Sequence, residues 1–164
     1  MIRKIGAAVL KCQNSTVSMS GGSLPTAKTY MWNSEHDQKP PVGDRWFLTD
    51  KKILLVKKKG LDELILPGGK PEGAETDVDA LKRELKEELG VSLSSANFIG
   101  EFSDIAADRT DLVVVRLYLS KVLGNMSPHA EIEGYFWVGK NSGYNLSAVV
   151  KNKIFPFLLD NGLL

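Results

Sequence analysis

Between Leu66 and Val91 the chain runs through a stop, a loop and a helix without a break, and no other segment constrains the fold as tightly. Leu64-Ile65-Leu66 reads as a short strand. Pro67-Gly68-Gly69 halts it, because proline withholds a backbone donor and glycine lets the chain leave a sheet at any angle. From about Asp77 to Leu89 the apolar residues Val78, Leu81, Leu85 and Leu89 recur at i, i+3, i+7 and i+11, which puts them on one helical stripe. Thr76 with Asp79 forms a capping box at the start, and Gly90 stands where a left-handed residue closes the end.

The rest of the chain supplies strands and one further helix. Ile2 to Leu10, Ile53 to Val56, Leu112 to Leu119 and Tyr135 to Val138 are short, apolar and partly β-branched, as strands entering a core should be. Phe98 to Phe102 is expected to add another. A second helix is expected over Ser147 to Leu159, kinked or shortened by Pro156. Between Cys12 and Trp46 lies a long excursion rich in Ser, Thr, Asn, Gly and Pro, read as an insertion at 13–45 that serves as a lid, an oligomer contact or a loop.

At 164 residues and 18.0 kDa, one core over 1–164 is the natural expectation. A net charge of +1 excludes a general electrostatic pull toward nucleic acid or acidic lipid, so any partner is held by local chemistry. The six apolar residues from Ile5 to Leu10 are too few for a signal core or a membrane span. Cys12 is the single cysteine and permits no intrachain disulfide, which fits a reduced cytoplasm.

Seven of the 20 acidic residues lie between Glu72 and Glu88, and this density is the first sign of chemistry. Glu84, Glu87 and Glu88 are related by i, i+3 and i+4, so they project from one side of the helix, roughly 110° around from the apolar stripe. Like charges so placed repel by a few tenths of a kcal/mol each. Clustered carboxylate oxygens bind hard cations such as Mg²⁺, which keeps waters and leaves room for substrate phosphates. For an arbitrary acidic helix, a solvated face balanced by Lys82, Arg83 and Lys86 is the preferred reading.

The spacing reverses that preference. Gly69, five residues, Glu75, seven residues, then Arg83-Glu84-Leu85-Lys86-Glu87-Glu88-Leu89-Gly90-Val91 resembles, without a departure, the box of the Nudix hydrolases. From ordinary residue frequencies a chance match is on the order of one in ten million. The resemblance implies an α/β (α+β) fold, a mixed β-sheet sandwiched between helices. It implies that Glu84, Glu87 and Glu88, helped by the Gly68 carbonyl, bind Mg²⁺ or Mn²⁺, that Arg83 orients the carboxylates, and that Glu75 supports Arg83. Ala130-Glu131-Ile132-Glu133 before Trp137 is similar to the family's later acidic loop, which makes Glu131 a further ligand or the base, with Glu84 as its rival.

The activity so implied is metal-dependent hydrolysis of a nucleoside diphosphate linked to another group, X. The reading taken forward is a nucleoside triphosphate or oxidised nucleotide cleaved to monophosphate and pyrophosphate. An ADP-ribose or nucleotide-sugar pyrophosphatase is the rival among enzymes, and a nucleotide-sensing module without turnover the rival outside them. A homodimer is compatible with the resemblance. Lys70 and Arg109 are candidate substrate contacts, each with a plain loop role as its alternative. Lys57-Lys58-Lys59 is read as a solvated strand end in preference to a polyphosphate attractor. His36 and His129 are too far apart in sequence to suggest zinc. Trp46, Phe47, Phe102, Tyr118 and Trp137 are assigned to core packing by default.

Overall fold

Ile53, Leu54, Leu55 and Val56 are each 0% exposed, so the strand they form is covered on both of its faces. A run of four consecutive apolar residues, rather than an alternation, is the sequence of such a strand. The computed structural model describes residues 2–10, 51–106 and 111–164, the first stretch as backbone only. Cys12, the residues read as a 13–45 insertion with His36, Trp46, Phe47 and the candidate substrate contact Arg109 lie outside the described residues.

The strands are β1 (Ile2–Leu10), β2 (Lys52–Lys58), β3 (Leu64–Ile65), β4 (Gly68–Gly69), β5 (Ser92–Ile105), β6 (Leu112–Leu123) and β7 (Ile132–Gly139). They form two sheets, a four-stranded one in the order β4-β1-β6-β5 and a three-stranded one in the order β3-β2-β7. The first is mixed, with β1 parallel to β6 and β4 antiparallel to β1. The second is antiparallel. Helix α1 (Asp77–Leu89) and helix α2 (Phe155–Asp160) supply the flanking layers.

Alternation along β2 divides the interior in two. Ile53 and Leu55 join Val113, Val115, Leu117, Val138 and the C-terminal helical residues Val150, Ile154 and Leu158. Leu54 and Val56 face the other way, onto Leu81, Leu85 and Leu89 of α1. The mixed architecture with helical flanks is therefore as expected, with two sheets in place of one central sheet. Val78 departs from the expected stripe, at 40% exposed, because the helix has only just begun there and the sheet surface starts one turn later. Ala80 and Glu88 take buried places on α1 instead.

Both ends of α1 are built as read. Thr76 and Asp79 make the reciprocal capping box, and Gly90 adopts φ 70° as the closing left-handed residue. The C-terminal helix begins at 148 and passes through a π-helical turn over Val150–Ile154 before α2. Pro156 explains that turn: its ring would clash with a carbonyl four residues back, and widening the turn relieves the crowding without ending the helix. The expected strand at Phe98–Phe102 extends to all of β5, with two bulges against β6. Its edge position leaves much of it half exposed, so Ser94, Ser95 and Asn97 are tolerated and the alternation fades.

Candidate active site

Pro67 ends β3, and the two glycines that follow pair with Gly6 and Ala7 of β1. This lays the Gly68-Gly69 backbone directly against α1. Gly68 has φ 133°, a conformation that disfavours any side chain. A Cβ on Gly69 would lie 2.0 Å from Glu84 Oε1, so only glycine allows the helix carboxylate to approach this closely.

The apolar seam of α1 buries the residue next to it. Glu88 is 1% exposed, and its Oε2 accepts a hydrogen bond of 2.9 Å from the Gly68 N–H. Its Oε1 is buried with no hydrogen-bond partner among the described residues. Burial pushes the Glu88 carboxyl up to about 7, reinforced by Glu84 and Glu131 and opposed by the Gly68 N–H and Lys58.

Arg83 organises the opposite flank. Its Nε donates to Glu75 Oε1 at 2.9 Å and its Nη2 to Glu75 Oε2 at 3.1 Å, a two-pronged pairing that matches the planar guanidinium. Nη1 donates to Glu84 Oε1 at 2.9 Å and reaches Glu87 Oε2 at 3.4 Å, while Nη2 also meets the Lys70 carbonyl at 3.0 Å. The Arg83 fork, with the Glu72 N–H beside it, holds Glu75 below the usual carboxylate range. One arginine thus ties together three of the carboxylates singled out in the sequence.

Glu131 reaches the same cleft from the loop before β7. Its carboxylate pairs with Lys58 Nζ, and that ammonium holds its pKa below the usual value. A cleft of about 520 Å³ is lined by Lys58, Lys59, Lys70, Glu84 and Glu131 and by the Gly68-Gly69 backbone. Glu72 and Ser147 also line it, and the rest of its wall is aliphatic, with Ile65, Leu66, Val113 and Val150 among it. Glu87 stands on the exposed flank of α1, and among the described residues no three acids, histidines or cysteines are already gathered into a metal cage. The oxygens present are nonetheless hard donors, and the unpartnered buried Oε1 of Glu88 is the feature a cation would satisfy.

The structure brings Arg83 together with Glu75, Glu84, Glu87 and the Lys70 carbonyl, seats Glu88 against Gly68 and puts Glu131 on the cleft, and it corrects the reading of Lys58 as part of a solvated strand end. The signal was present in part: Lys58 follows a fully buried strand, and β7, which carries the acidic loop, pairs with that strand up to Lys58 opposite Ile132. Also missed was Asp77, which pairs with Arg116 of β6 and accepts from the Tyr118 hydroxyl at 3.3 Å, pinning the start of α1 to the sheet.

The buried carboxyl has a measurable consequence in metal-free protein. Because the folded pKa of Glu88 is raised from 4.5 to about 7, the folded chain keeps a proton that the unfolded chain has released between those values. Stability therefore falls as pH rises through that window, by up to about 3 kcal/mol. The carboxylates with lowered pKa values, Glu75, Asp79, Asp104 and Glu131, lose their stabilisation only below the window. Urea unfolding in chelator at about pH 5 and about pH 8 checks this. Equal stabilities in wild type, or an unchanged difference in Glu88→Gln, would contradict it.

The NUDIX domain family description matches residues 39–153. The chain belongs to the Nudix family, pyrophosphohydrolases that generally hydrolyse a nucleoside diphosphate linked to another group and use a divalent metal. It is 35% identical over 65 residues to the uncharacterized Nudix hydrolase YvcI of Bacillus subtilis, a match spanning 40% of this chain and 41% of that one. It is 25% identical over 162 residues to an isopentenyl-diphosphate Delta-isomerase of Cutibacterium acnes, spanning 87% of this chain and 81% of that one. The crystal structure of a MutT NUDIX hydrolase from Burkholderia pseudomallei shares the fold with a TM-score of 0.61 at 20% identity, covering 92% of this chain and 94% of that one. No helix among the described residues is long and apolar enough to cross a membrane.

Proposed function

We propose that this protein hydrolyses a nucleoside triphosphate or an oxidised nucleotide to the monophosphate and pyrophosphate, with Mg²⁺ or Mn²⁺. The observation that carries the reading is the buried Glu88 with an unpartnered Oε1, hydrogen-bonded to Gly68, which with Gly69, Glu84 and three lysines lines the cleft. Glu84, Glu87, Glu88 and the Gly68 carbonyl would hold the ion. When bound, the ion polarises the phosphate and eases deprotonation of the attacking water.

The chain's own groups do the rest. Lys58, Lys59 and Lys70 draw the phosphates into the cleft. Arg83, locked by Glu75, holds Glu84 in place. Water attacks one of the two phosphorus atoms that flank the α–β bridging oxygen, that P–O bond breaks so that the bridging oxygen departs with the other group, nucleoside monophosphate and pyrophosphate separate, and a carboxylate takes a proton of the water. Glu131 is the better base of the two candidates, because Glu84 is held by the Arg83 fork whereas the ionised Glu131 carboxylate lines the cleft with the flexible Lys58 ammonium as its partner. Arg109 belongs to the same reading as a substrate contact, as do a homodimer, a cytoplasmic setting and a single domain over 1–164.

A substrate panel with Mg²⁺ tests it: nucleoside triphosphates, an oxidised purine nucleotide, ADP-ribose, a nucleotide sugar and isopentenyl diphosphate, assayed for phosphate, pyrophosphate and monophosphate. Pyrophosphate released from a triphosphate is expected. Two monophosphates from ADP-ribose or the sugar would move the assignment to the rival substrates. Conversion of isopentenyl diphosphate without phosphate release would replace hydrolysis by isomerisation, and binding without turnover would favour the sensor.

A further inference from the structure

Two of the ion pairs at the site differ in physical character. Arg83 and Glu75 are joined by two hydrogen bonds in a fixed fork, with side chains 23% and 24% exposed. Lys58 and Glu131 are joined by a single contact between a point charge on a flexible stem and a carboxylate, with side chains 35% and 43% exposed. A half-exposed pair of the second kind is screened by water and held in no fixed geometry, so breaking it costs little.

The surroundings make that exchange useful. The backbone of the Glu131 loop is anchored independently of the ion pair: the Lys59 N–H donates to the Glu131 carbonyl at 2.9 Å, and the His129 N–H to the Glu88 carbonyl at 2.9 Å. Ala130 holds φ 52° between those anchors, which turns Glu131 toward the cleft. Glu131 would therefore keep its place if the ammonium left. Lys58 lines the same cleft as Lys59, Lys70, Glu84 and Glu131, so a diphosphate bound there comes within its reach.

Resting on the hydrolase reading above, we propose that Lys58 is an exchange residue: in the empty cleft its ammonium neutralises Glu131, and an arriving diphosphate takes that ammonium for itself. Substrate binding then supplies the trigger that uncovers the carboxylate. A diphosphate carries more negative charge than one carboxylate and offers several acceptor oxygens, so the ammonium gains by moving. Before substrate arrives, the pair keeps the acidic cleft from repelling it.

The kinetic signature differs from that of a static support. In the substrate complex Lys58 has already left Glu131, so Lys58→Met should raise KM about tenfold, the weight of one charge-assisted contact, with kcat within about twofold. Lys58→Arg should restore KM. Glu131→Gln should lower kcat in both the wild-type and the Lys58→Met background by the same factor. A fall in kcat at unchanged KM in Lys58→Met, or no change in either, overturns the exchange. Calorimetric binding of inorganic pyrophosphate with Mg²⁺ needs no turnover: weaker binding by about tenfold in Lys58→Met is expected, and equal binding overturns the proposal. Wild type that shows the pyrophosphate difference yet hydrolyses nothing on the panel sinks the hydrolase reading and leaves the phosphate contact standing.

Discussion

Glu88→Gln lowers metal-dependent turnover by on the order of a thousandfold, and above about pH 7 the variant is at least as stable as wild type. Both halves follow from one geometry. Glu88 is 1% exposed, so its ionised form is costly to keep inside the protein, and its pKa is driven up to about 7. Glutamine has the same shape, its carbonyl still accepts from the Gly68 N–H, and it carries no charge to desolvate. What it lacks is the anionic oxygen now left without a partner. A structural residue loses stability when changed; a residue retained for chemistry at the expense of stability does the reverse. Rates on the hydrolysed nucleotide with saturating Mg²⁺, paired with thermal melts of the same samples, decide the matter. Activity within tenfold of wild type would remove Glu88 from the site.

Gly69→Ala reduces kcat/KM by on the order of a hundredfold with little change in melting temperature. The added Cβ would lie 2.0 Å from Glu84 Oε1 and 2.3 Å from its Cδ, which no folded structure accommodates without movement. The atoms in the way are the far end of a flexible side chain, so the fold yields at small cost. Glu84 yields by swinging away from β4, and its hydrogen bond to Arg83 Nη1 is disturbed with it. Displacement of a reacting group by about 1 Å is enough for a hundredfold loss. A cooperative melt within a few degrees of wild type, beside the lost activity, is the expected pair of results. Full activity would mean that the position of Glu84 against the glycine strand is irrelevant to turnover.

The legible parts of this protein are those governed by local rules. The capping box of Thr76 and Asp79, the left-handed Gly90 and the buried run Ile53 to Val56 all depend on neighbours within one turn or one strand, and each appears as read. Much of the candidate site is grouped in the sequence for the same reason: Arg83, Glu84, Glu87 and Glu88 share one helix, and Glu75 lies just before it. Val78 was misplaced because a helical period specifies a stripe but not where along the helix the opposing sheet begins. The length of β5 was underestimated because an edge strand, half exposed and bulged, does not need the alternation by which strands are recognised.

By itself the sequence determined the helix that bears the acids, its two ends and the family whose box it carries. Only the tertiary structure decided which acid is buried without a partner, that β4 runs against β1 and presents its N–H to that acid, and that Lys58 and Glu131 meet across a cleft. The reason is one of distance along the chain. Helix periodicity and capping act over three or four residues and are written in adjacent letters, whereas the seating of Glu88 on Gly68 and the Lys58–Glu131 contact join residues 20 and 73 positions apart and exist only once the sheets have been assembled.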